Sequence, residues 1–188
     1  MDRIICIVGE SGSGKSTIAE ELSKKDYNYI QSYTTRKQRY EEEKGHIFVD
    51  YEAYIESTIT SEQKSNIIAY TYFDGNHYWA NRQQYRGKGA SIYIVDPVGV
   101  RELKEEVKDA EIIVIYLNAD EKVRYNRMCR RKYNEDNLYD EQIYMRIKHD
   151  KNAFKVIRCD YVVDSNRELE EVLSDIETII EDMDKKNN

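Results

Sequence analysis

IICIVGESGSGKST, residues 4 to 17, is an apolar run that breaks into glycines and closes on Lys15, Ser16 and Thr17. Ile4 to Val8 is short, rich in β-branched residues and bounded by Gly9, which is the pattern of a buried strand. From Ser16 to Lys25 the apolar residues Ile18, Ala19 and Leu22 recur at helical spacing. In this context Gly9 to Ser16 fits the phosphate-binding loop, written Gly, four residues, Gly-Lys-Ser. Glycines let backbone N–H groups turn inward around phosphate oxygens, and the start of the helix adds partial positive charge. Lys15 would reach the terminal phosphates, the Ser16 hydroxyl would bind Mg²⁺, and Thr17 would support the loop. Gly9, Ser11, Gly12, Ser13, Gly14, Lys15, Ser16 and Thr17 are the expected contacts of a nucleoside triphosphate. A loop of this kind serves kinases, switches and motors alike, so it leaves the reaction open.

Downstream, apolar strands alternate with helices. Strands are predicted at Tyr29–Ile30, Ile67–Tyr72, Ser91–Val95, Glu111–Leu117 and Tyr161–Val163. Helices are predicted at Tyr51–Glu56, Val100–Lys108, Asp120–Arg131 with Asp120 as N-cap, a segment running to about Phe154, and Arg167–Met183. Asp74-Gly75-Asn76 has turn chemistry. Ser32 to Gly45 is polar and charged without apolar periodicity, and is predicted to be a functional loop. The alternation indicates an α/β fold with a parallel sheet covered by helices.

Length and composition narrow the class. The 188 residues suit one domain with small inserted subdomains. Hydrophobic residues at 40% beside charged residues at 35% describe a soluble globular chain. A net charge of -7 argues against a nucleic-acid partner, although Arg36–Arg39 and Arg124–Lys132 are local basic clusters. Cys6, Cys129 and Cys159 form neither a zinc pattern nor a disulfide framework, and are read as reduced thiols in the cytoplasm. The N-terminal apolar run is too short for a signal peptide or a membrane span. His46, His77 and His149 lack metal-ligand spacing and are read as surface or loop residues.

A second motif is SYTTRKQR, Ser32 to Arg39. Two arginines three residues apart, preceded by hydroxyl residues, suit a phosphate monoester, because the guanidinium offers a planar fork of donors. SIYIVD, Ser91 to Asp96, is a strand ending in a carboxylate. Such an aspartate lies near metal or acceptor in phosphoryl-transfer sites, or else caps the next helix.

With GESGSGKST, SYTTRKQR, GNHYWA (Gly75–Ala80) and VDPVG (Val95–Gly99) in this order, the chain resembles the guanylate kinase family. RMCRRK (Arg127–Lys132) and YMRI (Tyr144–Ile147) look like that family's lid, and VVDSN (Val162–Asn166) like its late adenine-side loop. The resemblance implies a three-layer P-loop NTPase fold with an inserted nucleoside monophosphate-binding subdomain and a small lid. Its core would be 1–31, 88–131 and 155–184, the subdomain 32–87 and the lid about 132–146. It implies ATP and Mg²⁺ as cofactors and a nucleoside monophosphate as substrate. Ser32, Arg36, Arg39 and Tyr78 would hold the acceptor phosphate. Arg131 and Arg146 would close over the transferring group beside Lys15. Arg127 and Asn166 would lie on the ATP side. Asp96 would sit between the nucleotides and be a candidate contact to the metal through water. The chain is expected as a monomer or homodimer, with no membrane.

The departures from the family fall at positions that read the base. The family's glutamate is Ala69 here, and the Gly-Ser/Thr that follows its tyrosine is Trp79-Ala80. Trp79 could be a stacking wall for another base, or a core residue filling space left by glycine. Three readings stay open: a kinase with changed or re-encoded base choice, a silent interaction module, and a P-loop kinase acting on a modified base in DNA.

Overall fold

The computed structural model describes residues 1–38, 41, 43–73, 75–136 and 138–186. In chain order the elements are β1 (Asp2–Val8), α1 (Lys15–Ser23), β2 (Asn28–Ile30), β3 (Ser32–Thr34), β4 (His46–Phe48), α2 (Tyr51–Glu56), α3 (Ser61–Asn66), β5 (Ile67–Phe73), β6 (Asn76–Asn81), β7 (Ala90–Ile94), α4 (Pro97–Glu106), β8 (Ala110–Asn118), α5 (Glu121–Tyr133), α6 (Glu141–Ala153), β9 (Tyr161–Asp164) and α7 (Leu169–Lys186). One sheet has five strands in the order β2-β7-β1-β8-β9, and a second has four in the order β4-β3-β6-β5. In the first sheet β2 pairs with β7 in parallel, and β8 pairs with β9 in parallel. Parallel strands separated by helices form the α/β architecture that the alternating pattern predicts. The chain divides into two compact units, one of Met1–Cys6 and Lys25–Ile113, the other of Ile7–Lys24 and Val114–Asn188.

In the first unit Ile4, Ile5, Ile92, Tyr93 and Leu103 are buried. Here α4 begins with Pro97 in its first turn, where the missing N–H costs nothing. Asp96 is its N-cap and accepts the Gly99 N–H at 2.7 Å. The four-stranded sheet was only partly visible in the sequence. Ser32–Thr34, expected within a loop, is a strand that pairs parallel with β4 and antiparallel with β6. Its register fixes which side chains share a face, since successive residues alternate. Ser32 lies opposite His46, Thr34 opposite Phe48 and Tyr78, and Thr71 opposite Tyr78. Tyr33 opposite Trp79 and Tyr72 opposite His77 form the other face. One face is therefore rich in hydroxyls and the other is aromatic.

On the aromatic face Trp79 stacks on Tyr33 at 5.5 Å, and Tyr54 of α2 stacks on His77 at 3.9 Å. The Tyr70 hydroxyl lies 3.0 Å from His77 Nδ1. His77 is thus packed within this cluster in β6 and His46 sits in β4, so both lie in strands and are half-buried, while His149 is exposed on α6. The cluster gives α2 an apolar seat that its own six residues could not supply. A bulge between Ile68 and Thr71 places Ala69 at φ +52, a left-handed conformation that non-glycine residues seldom adopt.

In the second unit α1 buries Ile18, Ala19 and Leu22, the residues whose spacing predicted it. The helices α5 and α6 pack through Met128, Cys129, Ile143 and Ile147. Tyr125 joins the segment between them by donating to Leu138 O and accepting the Asp140 N–H. Asp140 caps α6 by accepting the Ile143 N–H at 3.1 Å. Asp120 occupies the N-cap position of α5 as predicted, but its side chain makes no capping bond. Its backbone N–H is instead held by Asn166 Oδ1. Among the described residues no helix is long and apolar enough to cross a membrane.

Candidate functional site

The glycine loop of the second unit is built so that backbone approaches backbone. Gly12 has φ +82, and a Cβ there would lie 2.6 Å from Arg124 O. Gly14 has φ +96 at the N-cap of α1, where no side chain caps the helix. The N-cap residue thus offers the first N–H groups of α1 no side-chain acceptor, the arrangement that an anion completes. Lys15 Nζ donates to Gly9 O at 2.6 Å and Glu10 O at 3.0 Å. Ser16 and Thr17 are exposed in the first turn, and Ser13 is buried. The residues present therefore fit a triphosphate in the loop and a divalent cation at the Ser16 hydroxyl.

Three segments fix this loop from behind. Buried Arg124 donates to Ala119 O and Ser11 O, and its Nη2 lies 3.2 Å from Glu10 Oε2. Arg127 Nη2 donates to Ser165 O at 2.8 Å, and the Ser165 hydroxyl donates to Ser13 O at 2.7 Å. From α6, Arg146 Nε donates to Ser11 Oγ at 3.0 Å. The structure thus brings Arg127 and Arg146 to the loop, and Arg131, exposed on α5, is near enough to act on Lys15 electrostatically. Asn166 lies beside Asp120 and Asp164, while its neighbour Ser165 is the residue that touches the loop. Arg124, Ser165 and Asp150 were missed in the sequence. Arg124 carried a signal as part of the basic cluster Arg124–Lys132, and Ser165 as a member of the VVDSN segment.

Burial pushes the Lys15 ammonium down from 10.5 to about 8; Asp150 opposes the shift, and Arg146, Arg131 and Arg124 add to it. Phosphate oxygens favour the charged form, so binding above this value requires proton uptake. ATP affinity is expected to fall as pH rises through about 8, and a Lys15→Gln variant should lose that part of the slope. The ligand-free chain should behave oppositely. Between about 8 and 10.5 the unfolded chain holds the Lys15 proton and the folded chain does not, so this group raises stability with pH. Calorimetric titrations and melting curves from pH 7 upward, with and without the substitution, measure both.

In the first unit the hydroxyl-rich face carries Ser32, Thr34 and Tyr78, with Arg36 beside it. The Ser32 and Tyr93 hydroxyls lie 3.1 Å apart. Thr34 Oγ1 accepts the Arg36 N–H at 3.1 Å. The Arg36 guanidinium sits over the Phe48 ring and donates twice to Glu43, at 3.1 and 2.9 Å. Its buried Nε has no hydrogen-bond partner among the described residues. Burial works against the charge on Arg36, but Glu43, with Tyr78 adding, holds its pKa above the ordinary value. A buried donor left unmade is costly, and an anionic oxygen would satisfy it. Arg39 lies outside the described residues, as does Asp74. Asp96 is bound to the start of α4. Ala69 is buried in the bulge. Trp79 is 2% exposed, on the face opposite Tyr78, so of its two readings the core one matches this packing.

A family model described as an AAA domain matches residues 5–149. Among solved structures, guanylate kinase from Anaplasma phagocytophilum matches with a TM-score of 0.63 at 21% identity, over 97% of this chain and 86% of that one. At that identity the likeness concerns the fold, which is the α/β P-loop fold expected from the alternating strands and helices and from the family resemblance. No curated protein matches the chain.

Proposed function

The chain belongs to the AAA-domain family, and from that premise we propose that it is a cytoplasmic, ATP- and Mg²⁺-dependent nucleoside monophosphate kinase of guanylate kinase type. It would move the γ-phosphate of ATP onto a (deoxy)nucleoside monophosphate, releasing ADP and a nucleoside diphosphate. The observation that carries the acceptor half is the buried Nε–H of Arg36, which has no hydrogen-bond partner among the described residues and lies by Thr34 and Tyr78. A phosphate monoester supplies the acceptor that this donor lacks.

The assigned roles follow the chemistry of phosphoryl transfer, which is mainly positioning and charge stabilisation. The loop N–H groups from Gly9 to Thr17 hold the triphosphate. Lys15 neutralises its terminal oxygens, with Arg131 and Arg146 completing the positive surround and Arg127 and Asn166 on the nucleotide's far side. Ser16 would hold Mg²⁺, with Asp96 proposed as a contact through water, and the ion would supply charge neutralisation to the phosphate oxygens. Ser32, Arg36, Arg39 and Tyr78 hold the acceptor phosphate within the 32–87 subdomain, and residues about 132–146 form the lid. Ala69 in place of a base-reading carboxylate makes the guanine contact different from the family's. The acceptor is either GMP or dGMP held by other groups, or another deoxynucleotide.

A coupled ADP-release assay with ATP, Mg²⁺ and a panel containing GMP, dGMP, dTMP and dCMP tests this. Turnover of at least one acceptor, well above ATP hydrolysis alone, is the expected result. Tight ATP binding with no transfer to any acceptor would overturn the kinase reading in favour of an interaction module.

A further inference from the structure

Asp150 is a carboxylate of α6 that no assigned role uses, and it is 4% exposed. Its Oδ2 accepts the Ser11 N–H at 2.6 Å. Its Oδ1 lies 3.6 Å from Arg146 Nε and 3.8 Å from His149 Nδ1. Arg146 and Asp150 are four residues apart and share one face of the helix. Through space, the same carboxylate is the charge that most supports the Lys15 ammonium against burial. A loop N–H, the loop lysine and a lid arginine are the three kinds of donor that a nucleotide phosphate recruits. All three act on this one side chain.

We propose that Asp150 is a built-in competitor of the nucleotide phosphates: it holds the Ser11 N–H and keeps Arg146 beside it, and phosphates entering the loop must displace it. The inference rests on the reading of Gly9–Ser16 as a nucleotide cradle. Two anions close to one N–H repel each other strongly in a partly buried site. Displacement takes one anionic neighbour from Arg146, so the same event that fills the cradle turns the charge of a lid arginine toward the phosphates. A purely structural tie would place no such demand on charge. Asparagine would serve it equally, since its amide oxygen can accept the Ser11 N–H.

The test compares the wild-type chain with Asp150→Asn and Asp150→Ser by titration calorimetry. Mg-ATP and inorganic pyrophosphate are the two ligands. Measurement at pH 6.5 lies below the Lys15 value of about 8 and keeps that ammonium charged. Both variants are expected to bind Mg-ATP about tenfold more tightly than wild type, with pyrophosphate shifting in the same direction. Equal or weaker binding in the variants, with clear binding by wild type, overturns the proposal and leaves the cradle reading intact. Absence of ATP binding in all three chains overturns the cradle reading and this proposal together. Loss of a cooperative melt in both variants also overturns it, because Asp150 would then be needed for the fold.

Discussion

A Lys15→Met variant is expected to form ADP on the order of 10³-fold more slowly than wild type, while keeping its fold. Methionine has nearly the length of lysine without the charge. The ammonium it replaces donates to the carbonyls of Gly9 and Glu10, so it sits within the loop that would wrap the phosphates. In a site of low polarity a fixed positive charge is worth far more to a phosphoryl group than it is in water. The loss should appear mainly in kcat, because charge grows on the transferring oxygens toward the transition state. Stability should change little. Two carbonyls lose a donor, but a partly buried ammonium among Arg124, Arg131 and Arg146 is removed with it. ADP formation within about tenfold of wild type would mean that Lys15 does not reach the phosphates. A melting temperature lowered by many degrees would mean that the residue is structural.

The glycine cradle and the Arg36 face differ in how far the sequence exposed them, and the reason is geometric. The cradle was legible because its constraint is local. Gly12 and Gly14 both take positive φ within eight consecutive residues, so the spacing itself carries the signal, although the backbone that Gly12 approaches belongs to distant Arg124. The α/β class was legible for a similar reason: Ile4–Val8 and Glu111–Leu117 are buried runs that announce themselves by composition. The four-stranded sheet was not. Strands β3 and β4 have three residues each, too few for a periodic pattern, and their pairing joins segments more than ten residues apart. Face assignment depended on that pairing. Tyr78 and Trp79 are neighbours in sequence, yet alternation puts one on the hydroxyl face and the other in the aromatic core. The partners that hold functional side chains were equally invisible. Asp150 meets Ser11 across 139 positions and Ser165 meets Ser13 across 152, and no spacing rule connects residues that far apart.

Arg36 is where structure and proposed function are most entangled, and the second large effect is expected there. Arg36→Ala should raise the acceptor KM about a hundredfold, with the ATP KM changed only slightly, because the charged Nε–H donor to a phosphate monoester is lost. The same substitution should destabilise the fold by about 3 kcal/mol. The side chains of Arg36 and Glu43 are 12% and 6% exposed, so removing the guanidinium leaves a buried carboxylate without its bidentate partner. A weakened enzyme could then reflect partial unfolding instead of lost binding. The double variant Arg36→Met, Glu43→Leu separates the two effects. Replacing a buried ion pair by apolar side chains of similar volume is often neutral or stabilising, so the melting temperature should return close to wild type. The acceptor KM should stay high, because the Nε–H that has no partner among the described residues is gone in both variants. Recovery of the acceptor KM along with stability would show that Arg36 serves only the fold, and the acceptor phosphate would have to be held elsewhere. Persistence of the KM defect in a fully stable double variant places the monoester on the hydroxyl face of the β3–β6 sheet. In that case Glu43 acts as a positioning residue that fixes the guanidinium through two nitrogens and leaves the third for substrate.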